Sequence, residues 1–206
     1  MSSRKTLVRR SALGVGVGAL LLAGCGTGTT DAGGGSGTKG AAADPGSAAV
    51  TKYPVGKRPS APTLSGTTIT GKRLDTADWR GRVIVINVWG SWCAPCRAEA
   101  PGLHRIAQET RKLGVEFAGI DTRDNNPAGR AFEATYKIRY PSFADQDGRL
   151  VAHFNGIIPI SAVPSTAVID RHGRVAASIV GGVNYTTLRS VVTAAANEGK
   201  PKGTGK

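Results

Sequence analysis

Hydrophobic residues in the middle of the chain follow two periods, one typical of strands and one typical of helices. Val83–Val88 is a nearly continuous run of β-branched residues, as expected for a strand that is buried on both faces. Val115–Ile120 predicts a second strand of the same kind. Between these strands, five residues keep helical spacing, and Gly114 supplies a helix stop. The five are Leu103, Ile106, Ala107, Thr110 and Leu113.

Shorter segments, two hairpins and two helices, complete an α/β domain that runs from about Tyr53 to Asn197. Turn residues punctuate both hairpins, at Gly71 and at 170–173. The hairpin strands are 67–70 with 72–74 and Ser165–Ile169 with Val175–Ile179, and the helices cover 128–136 and 188–195. After the N-terminal hairpin, the predicted order of elements is β-α-β-α-β-β-α.

The first 24 residues have the layout of an export signal. Arg4–Arg10 is basic, and the apolar stretch Leu13–Ala23 that follows is too short for a membrane-spanning helix, which needs about 20 residues. The stretch ends in Leu-Ala-Gly-Cys, which resembles the bacterial lipobox, so Cys25 is predicted to be lipidated. The alternative is an ordinary signal peptide with an incidental cysteine, which would make the protein secreted. Arg9-Arg10 leaves both the general secretory and the twin-arginine export routes open.

Glycine, threonine, serine and alanine dominate the segment behind Cys25, and this composition predicts a flexible tether. A Gly-rich coil of this length has a mean reach of about 30 Å. The predicted organisation is a signal peptide (1–24), the lipidated cysteine and tether (25–52), a folded domain (53–198) and a disordered tail (199–206). The expected location is the outer face of the cytoplasmic membrane, where disulfide chemistry persists.

The composition excludes two classes of protein. The chain has a formal net charge of +13, but its basic residues are scattered, whereas nucleic-acid binding needs clustered basic residues with stacking aromatics or a known motif. No nucleic-acid partner is therefore predicted. Three cysteines are too few for a disulfide scaffold. Since lipidation removes Cys25 from redox chemistry, one pair remains, Cys93 and Cys96.

Cys93 and Cys96 lie between a buried strand and the start of a helix, in Trp-Cys-Ala-Pro-Cys. Backbone N–H groups and the helix dipole at such a position lower a thiol pKa from about 8.5 to roughly 3.5–7.5. Because the thiolate is the attacking species, Cys93, the first and more exposed cysteine, is the predicted nucleophile. Cys96 lies one turn inside the helix and is the predicted resolving thiol.

Three other uses of a cysteine pair fit this position less well. A structural disulfide that closes so short a loop contributes only about 2 kcal/mol of loop entropy. A zinc site needs two more ligands at typical spacing, and His104, His153 and His172 do not supply them. Covalent haem attachment requires a histidine directly after Cys96, where an arginine stands. The pair is therefore assigned to redox chemistry, with no metal and no cofactor besides its own disulfide.

The segment Val85–Pro101, Val-Ile-Asn-Val-Trp-Gly-Ser-Trp-Cys-Ala-Pro-Cys-Arg-Ala-Glu-Ala-Pro, resembles the active-site segment of the TlpA/ResA branch of thioredoxin-like proteins. The resemblance extends from about Pro62 to Ala196. It implies a thioredoxin-like α/β fold, with a mixed central sheet flanked by helices and an N-terminal β-hairpin. It also implies thiol–disulfide oxidoreductase activity, and it is much less specific for the substrate.

The resemblance assigns catalytic roles to two more residues. Pro164 matches the family's cis-proline, which packs opposite the cysteine pair, and the backbone of Val163 is expected to pair with a substrate strand. A plain strand-entry proline is the alternative. Glu99 matches the carboxylate that this branch holds near its cysteines, where it would accept the proton of Cys96. The alternative for Glu99 is an acid of the first helical turn that interacts favourably with the helix dipole. Asn87 stands where thioredoxins proper carry a buried Asp, and its alternative role is purely local hydrogen bonding.

The residues expected to bind the substrate are Trp89, Trp92, Pro95 and Val163. By resemblance, the two tryptophans shield the cysteines and offer the substrate a flat apolar surface, although Trp89 is equally suited to the core. Pro101 matches the proline that kinks this helix in the family.

By resemblance, the expected function is the reduction of disulfides in specific exported proteins, for example in cytochrome c or copper-site maturation. A membrane thiol donor would re-reduce the pair, and a monomer is expected. An exported DsbE-like dithiol oxidase is the alternative, because direction depends on reduction potential. A copper metallochaperone is a third reading. A thiol peroxidase is disfavoured, because Gly90 and Ile86 replace the Thr or Ser and the Pro that precede the reactive cysteine of peroxiredoxins.

Overall fold

The β-branched runs form the central strands of the sheet. The structure, a computed structural model, describes residues 48–198. Its strands are β1 (Ala49–Lys52), β2 (Ser65–Thr67), β3 (Arg73–Asp75), β4 (Val83–Trp89), β5 (Val115–Thr122), β6 (Ser142–Asp145), β7 (Ser165–Ile169) and β8 (Val175–Val180). Its α-helices are α1 (Ala94–Thr110), α2 (Asn126–Thr135), α3 (Arg149–Ala152) and α4 (Tyr185–Asn197).

One mixed sheet contains six of these strands, in the order β1-β8-β7-β4-β5-β6, while β2 and β3 pair as a separate hairpin. β4 is parallel to β5 on one side and antiparallel to β7 on the other. β6 extends the parallel half, and β8 and β1 extend the antiparallel half. The predicted α/β fold, with a mixed central sheet flanked by helices and an N-terminal hairpin, is confirmed.

Alternate residues of β4 face opposite layers of the core. Val83 and Val85 belong to the cluster that includes the apolar residues of α1 and α4. Ile84 and Ile86 belong to a second cluster, which contains the fully buried Phe143 of β6. Because all seven residues of β4 are buried, no position in it needs a solvent-facing side chain. This burial explains the unbroken β-branched run and places the strand's carboxyl end deep in the molecule.

Three elements were not predicted, namely β1, β6 and α3. β1 overlaps the predicted tether, so the ordered sheet begins at Ala49 and not at Tyr53. All four side chains of β1 are exposed and its backbone pairs with β8, so its sequence carries no burial pattern. β6 has four residues and no β-branched side chain, and α3 is also only four residues long. Elements this short have no measurable period.

The N-terminal hairpin forms with its strands further from the turn than predicted. The pairs run from Ser65 with Asp75 to Thr67 with Arg73. Gly71 lies in the turn with a φ of 83°, a conformation that glycine adopts without steric cost.

Several predictions fall on residues that the structure does not describe. The signal peptide, Cys25, the tether before residue 48 and the tail at 199–206 lie outside the described residues. They stay predictions. Within 48–198, no helix is long and apolar enough to cross a bilayer.

Candidate active site

The cysteine pair lies at the junction of β4 and α1. The turn Gly90–Trp92 follows the strand and leads to Cys93, which is the N-cap residue of α1. The backbone N–H of Cys93 donates to the carbonyl oxygen of Gly90 at 3.0 Å and closes this turn. The Sγ of Cys93 accepts the backbone N–H of Cys96 at 3.2 Å, in the manner of a helix-capping side chain. The first sulfur is therefore held at the amide groups that open the helix.

The two sulfurs form a disulfide, with an S–S distance of 2.07 Å and a Cα–Cα distance of 5.3 Å. Both cysteines are buried, since 3% of Cys93 and 1% of Cys96 is exposed. Cys93 is the more exposed of the two, as expected, but the difference is small in the disulfide form. Its neighbours in the same cluster include Ile69, Trp89 and Phe132, which cover the pair. The assignment of Cys93 as nucleophile depends on its place at the helix start.

Val163 and Pro164 lie beside the pair, directly before β7. Their peptide bond is cis, as the resemblance implies. Val163 packs against the cluster that contains Cys93 and Cys96. Among the hydrogen bonds of residues 48–198, none engages the backbone N–H or C=O of Val163, whereas the carbonyl of Pro164 accepts from Gly181 at 2.9 Å. The backbone of Val163 is thus available to an added strand.

Glu99 lies on α1 one turn after Cys96, and only 6% of it is exposed. Its Oε1 accepts from Asn87 Nδ2 at 2.9 Å, and its Oε2 accepts from the backbone N–H of Val183 at 2.9 Å. Burial raises the pKa of this carboxyl to about 7, and the two hydrogen bonds only partly oppose the rise. The structure therefore contains a buried, protonatable acid here, and not an exposed acid in the first turn of the helix.

Asn87 holds this carboxyl from the neighbouring strand. It is 2% exposed, and its Nδ2 also lies 3.2 Å from Thr166 Oγ1 and 3.5 Å from the carbonyl oxygen of Ser165. An amide donates hydrogen bonds without adding a charge. Glu99 is thereby fixed in place by neutral groups, and its pKa stays high. The signal in the sequence was one polar residue inside a β-branched run.

Trp89 is part of the core, and its predicted place in the substrate-binding set is wrong. It is 3% exposed, and its indole stacks on Phe132 with ring centroids 4.3 Å apart. The side chain lies on the same face of β4 as Asn87, two residues earlier, and this face points into the protein. Because both faces of β4 are buried, its last residue is buried as well, which agrees with the alternative that placed Trp89 in the core.

Trp92 and Pro95, on either side of Cys93 in the chain, are exposed, and their binding of substrate stays a prediction. Trp92 is 51% exposed, and its ring lies against the backbone of Gly90. A Cβ at Gly90 would come within 2.5 Å of the indole Nε1, so a glycine is required for this close approach. The result is an apolar surface directly beside the buried sulfurs.

One acidic residue that was not predicted supports the turn before Cys93, and a second acidic residue interacts with the first. The backbone N–H of Ser91 donates to Asp124 Oδ2 at 2.6 Å. Asp121, at the end of β5, is 2% exposed, and burial, reinforced by the negative charge of Asp124, raises its pKa to about 8. Asp121 is therefore mainly protonated at neutral pH and adds little negative charge near the turn.

Known relatives agree with this geometry. The sequence pattern of the Redoxin family matches residues 54–195, well over half of the chain. The chain belongs to the Redoxin family.

Two named relatives of this chain indicate which reaction it catalyses. The chain is 30% identical over 130 residues to the thiol-disulfide oxidoreductase ResA of Bacillus thuringiensis subsp. konkukian. This alignment covers 63% of the chain and 72% of ResA. The chain is also 35% identical over 121 residues to the thiol:disulfide interchange protein DsbE of Pseudomonas aeruginosa. This alignment covers 57% of the chain and 62% of DsbE.

A solved structure confirms the thioredoxin-like fold. A secreted thiol-disulfide isomerase from Corynebacterium glutamicum matches with a TM-score of 0.68 at 28% identity, over 72% of this chain and 92% of that one. Together with the Cys93–Cys96 disulfide, these relatives show that this Redoxin is a protein-disulfide oxidoreductase of the ResA/DsbE type.

Proposed function

We propose that this protein is an extracytoplasmic, membrane-tethered oxidoreductase that reduces disulfides of specific exported proteins. The observation that carries the proposal is the Cys93–Cys96 pair at the start of α1, with the buried carboxyl of Glu99 one turn behind it. A stabilised sulfur anion and a nearby proton acceptor are the two parts that a two-step disulfide exchange requires.

In the first step, the Cys93 thiolate attacks one sulfur of a partner disulfide. A Cys93–partner S–S bond forms, the partner's own S–S bond breaks, and the leaving sulfur departs as a thiolate that takes a proton from water. Backbone N–H groups at the helix start stabilise the attacking anion. The partner chain lies extended along Val163, whose backbone groups pair with it as an added strand.

In the second step, Cys96 resolves the mixed disulfide. Its thiol must lose a proton, and at 1% exposure it has little access to water. Glu99, with a pKa of about 7, is substantially ionised near neutral pH and accepts this proton. The sulfur of Cys96 then attacks that of Cys93, the intramolecular disulfide forms, and the partner leaves as a thiolate. The partner gains the two electrons that the cysteine pair loses.

Oxidation of a partner dithiol is the second candidate, and one feature of the helix start favours it. The first turn of α1 has no acidic residue, and the guanidinium of Arg97 lies beside that turn, bonded to the carbonyl of Ser91 at 2.7 Å. Positive potential stabilises a thiolate and therefore the reduced pair, which makes the disulfide a stronger oxidant. The similarity to ResA leads us to favour reduction.

The proposed location derives from the N-terminal sequence and one relative. The lipobox-like Leu-Ala-Gly-Cys supports a lipid anchor on Cys25, and the Corynebacterium glutamicum protein is described as secreted. We propose that the protein acts as a monomer at the outer face of the cytoplasmic membrane, where a membrane thiol carrier re-reduces it. Cytochrome c maturation is the proposed setting. Cys25→Ala should move the protein from the membrane fraction to the medium, and unchanged retention would contradict the anchor.

The direction of the reaction is tested by equilibrating the cysteine pair with glutathione. A reduction potential near that of thioredoxin, about −270 mV, is expected for the reductase. A value near that of DsbA, about −120 mV, would instead assign the oxidase.

Partners are tested by trapping. Without a resolving thiol, Cys96→Ser should accumulate mixed disulfides between Cys93 and exported proteins, and these should separate on reducing gels. Cys93→Ser is the matched control, because it keeps a thiol and loses the proposed nucleophile. Equal trapping by the two variants would contradict the assigned roles.

A further inference from the structure

Two exposed apolar residues and two arginines are grouped near the start of α1: Trp92 and Arg97 flank the cysteine pair in the chain, and Arg123 links Trp92 to the backbone of Ile160. We call Trp92, Arg97, Arg123 and Ile160 the docking surface. Trp92 and Ile160 are 51% and 48% exposed. Within residues 48–198, only two other large hydrophobic residues are exposed, and Trp92 directly precedes Cys93. Apolar surface of this kind marks sites of interaction.

Arg123 connects the Trp92 side chain with the backbone of Ile160. Its Cζ lies 6.0 Å from the centre of the Trp92 ring, and its Nη2 donates to the carbonyl oxygen of Ile160 at 3.4 Å. Its backbone has a φ of 51°, a left-handed conformation that disfavours residues with a Cβ, and its N–H is held by the carbonyl of Asp145 at 3.0 Å. Unfavourable backbone conformations cluster at functional sites. Here the conformation directs a guanidinium to the rim of the active site.

The charge of the docking surface is positive. Arg97 donates to the carbonyl of Ser91 at 2.7 Å, and no ion pair within 48–198 includes Arg97 or Arg123. The carboxylate of the adjacent Asp124 accepts from the backbone N–H groups of Ser91 and Asn125. Two guanidiniums therefore face solvent against one carboxylate whose oxygens are already bonded. An anionic group on a partner complements this surface.

We propose that the docking surface selects partner segments in which the reactive cysteine is flanked by an acidic residue and an apolar residue. This inference rests on the proposed function, because it requires an extended partner chain beside Val163. The acidic side chain pairs with Arg123 and Arg97, and the apolar side chain packs on Trp92 and Ile160. Charges at the rim of an interface act mainly on the association rate. The preference therefore appears in kcat/KM and weakens with salt.

Two synthetic peptides test the preference. Each has one cysteine in a disulfide with thionitrobenzoate, and they differ only in a Glu or a Lys next to that cysteine. The reduced protein attacks the peptide sulfur and releases coloured thionitrobenzoate, after which Cys96 closes the Cys93–Cys96 disulfide and releases the peptide thiol. Rates are divided by those with dithiothreitol to remove intrinsic differences. In this single-turnover reaction we expect a roughly fivefold higher second-order rate constant, the equivalent of kcat/KM, for the Glu peptide at low salt.

Variants of Arg123 connect the preference to the docking surface. Arg123→Gln should lower it by about twofold to threefold, Arg123→Lys should retain it, and Arg123→Glu should reverse it. Arg111→Gln, at the other end of α1, is the matched control and should leave it unchanged. Equal rates for the two peptides, or a preference that survives Arg123→Glu, would overturn the docking proposal while the proposed function stands. Failure to reduce either peptide would overturn both.

Discussion

Two buried carboxyls near opposite ends of β7 have opposite surroundings. Glu99 and Asp170 are 6% and 5% exposed, so burial acts on both. The guanidinium of Arg58 donates to Asp170 at 2.8 Å and also binds Glu198. The hydrogen bonds to Glu99 come instead from the neutral amide of Asn87 and a backbone N–H. Burial raises the pKa of Asp170, but hydrogen bonds from Arg58 and from backbone N–H groups outweigh it and leave that pKa below its usual value. The pKa of Glu99 is raised to about 7.

The difference shows that the partner, and not burial, decides what a buried acid does. A carboxylate taken out of water is destabilised by several kcal/mol unless charges and hydrogen bonds compensate it. Arg58 compensates Asp170, so that acid stays ionised. By binding both acids, Arg58 also ties the turn after β7 to Glu198 at the end of α4. Asn87 compensates Glu99 only in part, which leaves a group that exchanges a proton near neutral pH.

Removing the cation should have the largest effect. Arg58→Ala leaves Asp170 buried without its cation, and we expect the free energy of unfolding to fall by about 3–5 kcal/mol. Urea denaturation measures the change. Arg82→Ala is the matched control, because Arg82 pairs with Glu116 at the surface and exposed pairs contribute about 0–1 kcal/mol. Similar losses for the two variants would show that Arg58 is no more than a surface charge.

The pH dependence of stability should separate the two acids by sign. Because the folded-state pKa of Glu99 is raised, the folded protein binds its proton more tightly than the unfolded chain between pH 4.5 and about 7. Stability from this group is therefore present at low pH and falls by about 3 kcal/mol as pH rises through that window.

Glu99→Gln should remove this fall, so the variant gains on the wild type as pH increases. Asp170→Asn is the matched comparison with the opposite sign: the folded-state pKa of Asp170 is lowered, so its contribution is present above the unfolded pKa and is lost as pH falls. Urea titrations across pH measure both differences. Parallel curves for Glu99→Gln and the wild type would mean that Glu99 titrates as an exposed acid.

Local patterns in the sequence predicted one of these two regions better than the other. The strand at Val83–Val88, the helix start at Cys93 and the carboxyl at Glu99 lie within one continuous segment, so short-range periods and a motif were enough to place them. The bond between Arg58 and Asp170 joins residues 112 positions apart, in segments without a period. Only the folded chain brings them together.

Side-chain direction and backbone conformation explain the remaining differences. By resemblance Trp89 was placed in the substrate-binding set, with the core as an equal alternative, and the structure places it in the core because both faces of β4 are buried. Arg123 has a left-handed conformation, and its backbone N–H donates to Asp145, a residue of a strand that the sequence pattern does not reveal. Contacts between strands that are distant in the sequence therefore determine the part of the site that local sequence patterns cannot predict.

The chemical role of the uncompensated acid is tested by rate. In Glu99→Gln, resolution of the mixed disulfide by Cys96 should slow by about a hundredfold, because the proton acceptor is lost. The amide of Asn87 can turn to keep a hydrogen bond to the new side chain, so the fold should persist. Acid-quenched samples measure the lifetime of the mixed disulfide. Attack by Cys93 is the internal control, and equal slowing of both steps would indicate a structural role only.

The smallest expected effect comes from the neutral donor itself. The hydrogen bond from Asn87 lowers the pKa of Glu99 against the effect of burial, so Asn87→Ala should raise that pKa further, by about one unit. The midpoint of the pH profile for resolution should rise by the same amount, while the rate at high pH stays unchanged because Glu99 remains the acceptor.

Thr166→Val is the matched control, since it removes the other side-chain contact of Asn87 and leaves the bond to Glu99 intact. Its midpoint should equal that of the wild type. A midpoint that stays constant in Asn87→Ala would mean that this amide does not tune the acid. The contrast with Asp170 would then depend on the charge of Arg58 alone, and the backbone N–H of Val183 would be the sole hydrogen bond opposing the burial of Glu99.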